Sequence, residues 1–86
     1  MRYEGEFVDG LIQGIGVGFG VRNTYRGEWR NNKPNGKGIL ETPDGIKYEG
    51  HVKDGLPHGI GREAIENQEY EVTYIKGQKI ASRAVK

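Results

Sequence analysis

The chain has 86 residues, with 13 Lys and Arg against 12 Asp and Glu, and a formal net charge of +1. This length accommodates one small domain and excludes a two-domain enzyme, and the absence of cysteine excludes a disulfide framework, a thiol nucleophile and cysteine-ligated zinc. No apolar run approaches the roughly 20 residues that span a bilayer, and a patterned segment begins directly after Met1, where a signal peptide would need its charged and apolar regions. We therefore expect a cytoplasmic protein.

Glycine makes up 15 of the 86 residues, and 12 of these 15 fall at fixed distances from four tyrosines. Counted from each tyrosine, glycine recurs at +2, +7, +11 and +13, whereas glycine in a disordered chain would share no phase. The tyrosines are spaced 22, 23 and 22 residues apart: Tyr3, Tyr25, Tyr48 and Tyr70. The sequence therefore predicts one domain over 1–86, with repeats at 3–24, 25–47 and 48–69 and a degenerate segment at 70–86.

Each repeat is predicted to form a β-hairpin. The segment Tyr3–Phe7 alternates large apolar residues or glycine with charged residues, a period of two that is typical of a half-exposed strand. A second alternating run begins at Gly14, and a loop of about six residues, Val8–Gln13, joins the two runs. The corresponding loop of the second repeat is Arg30–Asn35.

Turn-forming residues lie at the predicted loops and between the repeats. Pro34 and Pro57 fall in the hairpin loops, where a missing N–H breaks no ladder bond. Asn32 replaces the +7 glycine of the other repeats, and Asn is the residue that best substitutes for Gly at positive φ. Three further turn segments separate successive repeats: Asn23-Thr24, Pro43-Asp44-Gly45 and Asn67-Gln68. The sequence predicts a meander of seven or eight strands.

The last segment departs from the pattern, with Val72, Ala81 and Arg83 at positions that glycine holds elsewhere. This segment is expected to cap the open end of the stack. An alternative is a short helix over Ile80–Lys86, because this run lacks turn residues and contains good helix formers.

A single-layer sheet has no second layer to fill its core, so its abundant glycine needs a physical reason. We expect the tyrosine and +4 rings to lie flat on the bare backbone of glycines in neighbouring strands, where a Cβ would hold them away. Tyr3, Gly5 and Phe7 would share this packed face. The charged face opposite would be solvated or hold a partner.

The pattern Tyr-x-Gly-x-aromatic, a turn glycine and then Gly-x-Gly resembles the MORN repeat family. The segments that carry the resemblance are Tyr3-Glu4-Gly5-Glu6-Phe7, Tyr25-Arg26-Gly27-Glu28-Trp29, Tyr48-Glu49-Gly50, Asn35-Gly36-Lys37-Gly38 and His58-Gly59-Ile60-Gly61. The resemblance implies an all-β fold, an elongated and twisted antiparallel meander of hairpins in a single layer. It also implies no catalytic activity, and roles as a scaffold, a dimerisation element, a protein-docking surface or a module that contacts acidic phospholipids.

No constellation of residues indicates a catalytic, cofactor or metal site. The two histidines, His51 and His58, lie on a charged face and in a loop, and a metal site needs at least three converging ligands. The only serine, Ser82, has no patterned base beside it. The run Gly14–Gly20 lacks the helix that follows a phosphate-binding loop, and the repeat explains its glycines. We expect a protein that is not an enzyme and has no cofactor.

Charge divides unevenly along the chain. Residues 1–75 hold nine basic and 12 acidic residues, a net charge of −3, and residues 76–86 hold four basic residues and no acid, +4, which together give the +1 of the whole chain. The mildly acidic repeats argue against direct nucleic-acid binding, because such binding needs a continuous basic patch. The basic segment could contact an acidic lipid or protein surface: Lys76, Lys79, Arg83 and Lys86.

Aromatic residues at repeating positions are the better indication of a protein partner, because Tyr and Trp often anchor interfaces. The candidate partner-binding residues are rings that could form a ladder, with two glutamates of the charged face: Phe7, Phe19, Tyr25, Trp29, Tyr48, Glu28 and Glu49. The alternative is that these rings are the core itself. Two expected sheet edges, Arg2–Val8 and Tyr70–Ile75, invite strand addition and a homodimer.

The sequence is thus interpreted as a non-enzymatic MORN-repeat module that presents a rigid grooved sheet to a protein partner. Two alternatives stay open. One is a small bacterial or phage inhibitor that blocks a larger enzyme or nucleic-acid-processing complex by occluding its surface. The other is a module that binds acidic phospholipids.

Overall fold

A computed structural model describes residues 2–20 and 23–85. Eight antiparallel strands form one sheet in chain order, with principal extents of 44 × 22 × 17 Å. The strands are β1 (Arg2–Val8), β2 (Leu11–Phe19), β3 (Thr24–Arg30), β4 (Lys33–Glu41), β5 (Lys47–Lys53), β6 (Leu56–Ile65), β7 (Gln68–Ile75) and β8 (Gln78–Ala84). The predicted all-β, elongated antiparallel meander of hairpins is confirmed.

The alternative of a C-terminal helix is wrong. Residues Gln78–Ala84 form β8, which pairs with β7 from Ile75↔Gln78 to Tyr70↔Ala84. The exposed edge of β7 offers this segment a ladder of backbone hydrogen bonds, and that pairing overrides its helix propensity. The predicted edge strand Tyr70–Ile75 is therefore interior, and the edges of the sheet are β1 and β8. Lys86, the last residue of the predicted helix, lies outside the described residues.

The hairpin connections are shorter than the six residues that the sequence predicted. Two residues with positive φ connect each of five strand pairs, the signature of a type I′ turn: Asp9-Gly10, Asn31-Asn32, Asp54-Gly55, Glu66-Asn67 and Lys76-Gly77. Asn32, at φ 68°, confirms the inference that Asn replaces glycine at this position. The longer connection between β4 and β5 contains the predicted turn Pro43-Asp44-Gly45. The other two predicted turns differ, because Thr24 and Gln68 are already the first residues of β3 and β7.

Both prolines lie within strands and not in loops. Pro34 pairs with Trp29 and Pro57 with Val52, each one step from the two-residue turn. In an antiparallel hairpin the residue pair that flanks a two-residue turn is hydrogen-bonded, and the next pair is not. Each proline belongs to this second pair, so its missing N–H breaks no hydrogen bond to the partner strand of the hairpin. Their carbonyls are used instead, because Pro34 accepts a hydrogen bond from Gly55 N at 2.9 Å.

A row of glycines crosses six strands and forms the floor of the core. Its members pair in order: Gly5↔Gly16↔Gly27↔Gly38↔Gly50↔Gly61. Tyrosine rings lie on this row, and a Cβ built on Gly61 would lie 2.6 Å from Tyr48 Cε1. A Cβ on Gly18, one position along β2, would lie 2.5 Å from Trp29 Cη2. The prediction that rings pack on bare backbone is confirmed.

The core is a single line of side chains on this face of the sheet. Its buried hydrophobic members are Tyr25, Trp29, Tyr48, Val52 and Val72. The Tyr3, Tyr25 and Trp29 rings meet edge to face, with centroids 5.0 Å apart for Tyr3–Trp29 and 5.4 Å apart for Tyr25–Trp29. Edge-to-face geometry between large rings adds to the free energy of burial. Val72 pairs with Gly61 and so occupies the next place in the glycine row.

The hydroxyl of the first tyrosine in each of the three full repeats is anchored to a main-chain carbonyl three residues later. Tyr25 Oη donates to Glu28 O at 3.0 Å and Tyr48 Oη donates to His51 O at 2.8 Å. Glu28 and His51 stand where the strand register shifts, so the hydroxyl satisfies a carbonyl that the ladder leaves irregular. The tyrosine therefore fills the core and also stabilises the bulge of its own hairpin.

We expect stability to fall in alkaline solution. Burial raises the pKa of Tyr25 to about 12 and also raises the pKa of Tyr48. An unfolded tyrosine loses its proton near pH ~10, so between about pH 10 and 12 the unfolded chain binds fewer protons than the folded chain, and stability falls as pH rises. The Tyr25 contribution, about 2–3 kcal/mol, is fully present below pH ~10 and lost by pH ~12. Urea unfolding across this range should give a shallower decline for Tyr25→Phe, and equal slopes would contradict the assignment.

Successive hairpins are joined by a side-chain clasp at the turns. The residue at +10 accepts a hydrogen bond from the turn backbone of the next hairpin. Gln13 Oε1 accepts from Asn31 N at 3.4 Å, Asn35 Oδ1 from Asp54 N at 3.0 Å, and His58 Nδ1 from Lys76 N at 3.1 Å. The clasp residues Gln13, Asn35 and His58 thus do one task with three different acceptors.

Replacement of His58 should test this clasp. We expect His58→Ala to lower the free energy of unfolding by about 1 kcal/mol, because Lys76 N loses its acceptor. His58→Asn should retain most of the stability, since Asn35 already performs this task in the preceding repeat. Urea unfolding of both variants measures the difference, with His51→Ala, at an exposed histidine, as the control. Equal losses for Ala and Asn would refute the clasp.

Candidate protein-interaction face

The side of the sheet that the rings leave uncovered is here called the outer face. A row of side chains, here the charged row, crosses it on all eight strands in continuous register. Its members are Glu4, Val17, Arg26, Ile39, Glu49, Arg62, Glu71 and Arg83. Opposite charges lie next to each other over the last four strands, which stabilises cross-strand pairing, and Arg83 Nη2 lies 2.9 Å from the Glu71 carboxylate.

Large apolar side chains project from the outer face beside the charged row. Ile15 is 59% exposed and Ile60 is 66% exposed, although both lie on strands within the sheet. They share the +12 position of their repeats, where the second repeat has Lys37. Exposed isoleucines at a repeating position on one face mark a surface that can bury apolar contacts.

Two carboxylates hold the backbone irregularities of the first two hairpins on the outer face. Glu6 Oε1 accepts a hydrogen bond from Ile15 N at 2.7 Å, and Glu28 Oε1 accepts one from Lys37 N at 2.6 Å. Short bonds from backbone N–H to a carboxylate are charge-assisted and strong. They fix the shape of the outer face at each bulge, and the third repeat has His51 at this position.

Two neighbouring grooves run along the outer face. The larger, about 550 Å³, lies between the first two hairpins and is lined by Gly14, Ile15, Glu28, Trp29, Arg30, Asn35 and Gly36. The second, about 280 Å³, lies between the second and third hairpins and is lined by Arg26, Lys37, Gly38, Ile39, Glu49 and Gly50. Each groove combines an isoleucine with side chains of both charges. This lining suits a polypeptide with apolar and charged groups.

The structure separates the seven residues that the sequence singled out. Tyr25, Trp29 and Tyr48 are buried in the core, so the predicted ring ladder is not an exposed surface at these positions and the core alternative describes them. Rings of this size find their burial on glycine backbone inside the chain, which leaves little area for a partner.

The other four residues retain accessible surface. Phe7 is 61% exposed at edge strand β1, where no further hairpin of the described sheet covers it. Phe19 is half-buried, with the Arg2 guanidinium 4.6 Å from its ring centroid. Glu28 and Glu49 both lie on the outer face, and each lines one of the two grooves. A partner-binding role for these residues stays a prediction.

The sequence analysis missed the apolar members of the outer face. Ile15 and Ile60 both occupy the +12 position of their repeats, and this repetition in the sequence could have indicated a shared surface. Ile39 and Arg26 could not be assigned to a groove, because the groove is lined by residues of three neighbouring strands, β3, β4 and β5. Such an arrangement depends on pairing between strands and is not visible in one strand.

Two of the basic residues near the C-terminus are paired with acids. Lys79 Nζ lies 2.7 Å from Glu63 Oε1 and forms an ion pair with it, although the geometry is not that of a hydrogen bond. Arg83 forms an ion pair with Glu71. Glu63 is buried, and its other oxygen accepts a hydrogen bond from Tyr74 Oη. Burial and this bond raise the pKa of the Tyr74 phenol. The segment is therefore less cationic than its sequence indicates, and Lys86 lies outside the described residues.

Within residues 2–20 and 23–85, no cluster of three or more metal-ligating side chains occurs. His51 lies on the outer face and His58 at the clasp, so the histidines do not converge on one site. The same described ranges contain no helix with the length and apolarity to cross a bilayer.

An open sheet of hairpins, with rings on a glycine row and an uncovered outer face, defines an all-β repeat protein. The family model of the MORN repeat matches residues 3–17, 25–47 and 48–68, more than half of the chain. The chain therefore belongs to the MORN repeat family, which is generally a family of non-catalytic binding modules.

Similar proteins are much longer than this chain. Human Alsin is 44% identical over 45 residues, which are 52% of this chain and 3% of Alsin. The human ALS2 C-terminal-like protein is 50% identical over 38 residues, and the mouse protein of the same name is 53% identical over 38 residues; each match covers 44% of this chain and 4% of the relative. The chain thus spans only a few per cent of the length of these relatives.

Proposed function

We propose that this protein is a non-enzymatic interaction module that binds a protein partner through its outer face. The observation that carries the proposal is the exposure of Ile15 and Ile60 beside the charged row, on the side of the sheet opposite the closed core. Covering an exposed apolar group with a partner lowers the free energy of the complex, and the charges around that group select the partner.

The two grooves are consistent in position and lining with a partner segment that binds across the hairpins. They lie on adjacent hairpins and offer both charges, from Arg30 and Glu28 in one groove to Lys37 and Glu49 in the other. The scaffold beneath them is held by paired strands, clasps and carboxylate bonds, so little ordering entropy is lost on binding. The separation of the two histidines supports binding without catalysis.

Affinity purification with matched variants tests the proposal. We also propose a cytoplasmic location, so the bait is the 86-residue chain and the sample is a cytosolic extract. The recovered partner is then purified and titrated against each variant. The double variant Ile15→Ser, Ile60→Ser removes outer-face apolar contacts, and the control variant Phe7→Ser removes a comparably exposed apolar group on the opposite face of the sheet.

We expect the outer-face variant to weaken binding of the partner by at least about tenfold and the control variant to leave it nearly unchanged. Circular dichroism verifies that both variants stay folded. Equal binding of that partner by the wild type and the outer-face variant would refute the proposal.

A further inference from the structure

We propose that copies of this chain associate head to tail, with β8 of one copy pairing in register with β1 of the next. Both strands are edges of the described sheet, and edge strands carry backbone N–H and C=O groups without a partner strand. The occupant that fits each edge is a second copy of this chain, because the interface required is one that the chain already builds three times between its own hairpins.

The internal interfaces define the pairing rule. Between hairpins, an even-numbered strand pairs with the next odd-numbered strand, and each such joint places three rows in register. In the joint between β2 and β3 these pairs are Gly18↔Tyr25, Val17↔Arg26 and Gly16↔Gly27. The joints between β4 and β5 and between β6 and β7 repeat the same arrangement.

Edge strand β8 continues all three rows. Ala84 pairs with Tyr70, Arg83 with Glu71 and Ser82 with Val72. The pairing rule would therefore place Tyr3, Glu4 and Gly5 of a second copy opposite Ala84, Arg83 and Ser82 of the first. Small residues would stand opposite the tyrosine and the glycine, as they do in the first internal joint.

The two edges have complementary charge. Along the charged row the last four strands alternate as Glu49, Arg62, Glu71 and Arg83, and Glu4 of a second copy would continue this alternation. Opposite charges directly across a strand pair stabilise it and like charges destabilise it. Pairing of β1 with another β1 about Gly5 would instead oppose Glu4 with Glu6, so the charges favour the head-to-tail joint over a closed dimer of two β1 edges.

Phe7 gives the joint an apolar anchor. It occupies the +4 position, where Trp29 is buried on Gly18 of the preceding hairpin, whereas Phe7 is 61% exposed because no hairpin precedes it in the described sheet. In the proposed joint the Phe7 ring would lie against Ala84, the small residue equivalent to Gly18. Burial of an exposed phenylalanine supplies the hydrophobic contribution to association.

One difference makes this joint weaker than the internal ones. Ile80 stands in β8 where the preceding repeats carry the clasp residues Gln13, Asn35 and His58, so the turn of the next copy gains no side-chain acceptor. We therefore expect association that is reversible and increases with protein concentration. High salt should weaken it, because an exposed Arg–Glu contact is screened.

Sedimentation velocity of two charge reversals tests the proposal. We expect the wild-type mass to rise with concentration from the 9.6 kDa monomer past the dimer, because a head-to-tail joint does not close. Arg83→Glu alone and Glu4→Arg alone each place like charges at the joint and should weaken association by roughly tenfold. An equimolar mixture of the two variants should recover it, since each joint again unites opposite charges.

Lys33→Glu and Asp44→Arg change the net charge equally, away from both edges, and should associate like the wild type. Circular dichroism verifies folding of every variant, and Phe7→Ser provides a second variant that should lower association without any charge change. A monomer at all concentrations, a species that stops at the dimer, or a mixture that fails to recover association would overturn the proposal. None of these outcomes affects binding of a partner at the outer face.

Discussion

Trp29→Ala is expected to lower the free energy of unfolding by about 5 kcal/mol. The Trp29 ring is only 4% exposed, meets the Tyr3 and Tyr25 rings edge to face, and lies against Gly18. Its Nε1 donates a 3.0 Å hydrogen bond to Gly16 O. A single-layer sheet has no second layer that could collapse into the space left by the ring, so the loss should fall at the high end for an aromatic truncation.

Phe7→Ala is the matched control for this prediction. Phe7 occupies the same +4 position but is 61% exposed, so its loss should cost less than about 1 kcal/mol. Urea unfolding followed by circular dichroism measures both variants at a protein concentration where the chain is monomeric. Similar losses for the two variants would show that exposure does not decide the role of the ring, and would contradict the packing described above.

Gly61→Ala is expected to lower the free energy of unfolding by about 3 kcal/mol. Strand propensity alone predicts the opposite sign, because Ala is favoured over Gly in a strand interior. The packing reverses this preference, since an alanine Cβ would lie 2.6 Å from Tyr48 Cε1 and 2.8 Å from Glu49 O. Tyr48 is 2% exposed and anchored by its hydroxyl to His51 O, so the ring cannot move aside without losing both burial and hydrogen bond.

Two further variants separate ring contact from other effects of the methyl group. Gly10→Asn changes a turn glycine with no atom within 4 Å of its built Cβ, and Asn32 shows that Asn adopts positive φ at this position, so stability should change little. In a Tyr48→Leu background, Gly61→Ala should cost less than in the wild type, because the ring edge is gone. An undiminished cost in that background would indicate that the backbone, and not the ring, rejects the methyl group.

The repeat period could be recognised in the sequence because glycine and tyrosine each have a specific structural role in every repeat. Only glycine lets a ring approach the backbone at Gly16, Gly38 and Gly61, so its spacing records the architecture directly. The alternation of Tyr3–Phe7 likewise reports a strand with two different faces. Fold class, hairpin unit and the packing of rings on glycine therefore followed from the sequence.

Turn lengths and the last strand were not readable in the same way. Two of the two-residue turns require positive φ at Glu66 and Lys76, residue types that adopt it only when strand pairing on both sides compels it. The helix propensity of Ile80–Lys86 was overridden because β7 offered an edge to pair with. Both outcomes depend on neighbours in space and not on neighbours in sequence.

The amino-acid sequence by itself determined that this protein is a stack of MORN-type hairpins, since each repeat carries its own glycines and rings. Only the tertiary structure decided which rings are core, which face is free and where the grooves lie. The reason is that burial of Trp29 and exposure of Phe7 depend on whether a further hairpin lies beside the ring. The same residue position is core inside the stack and surface at its edge.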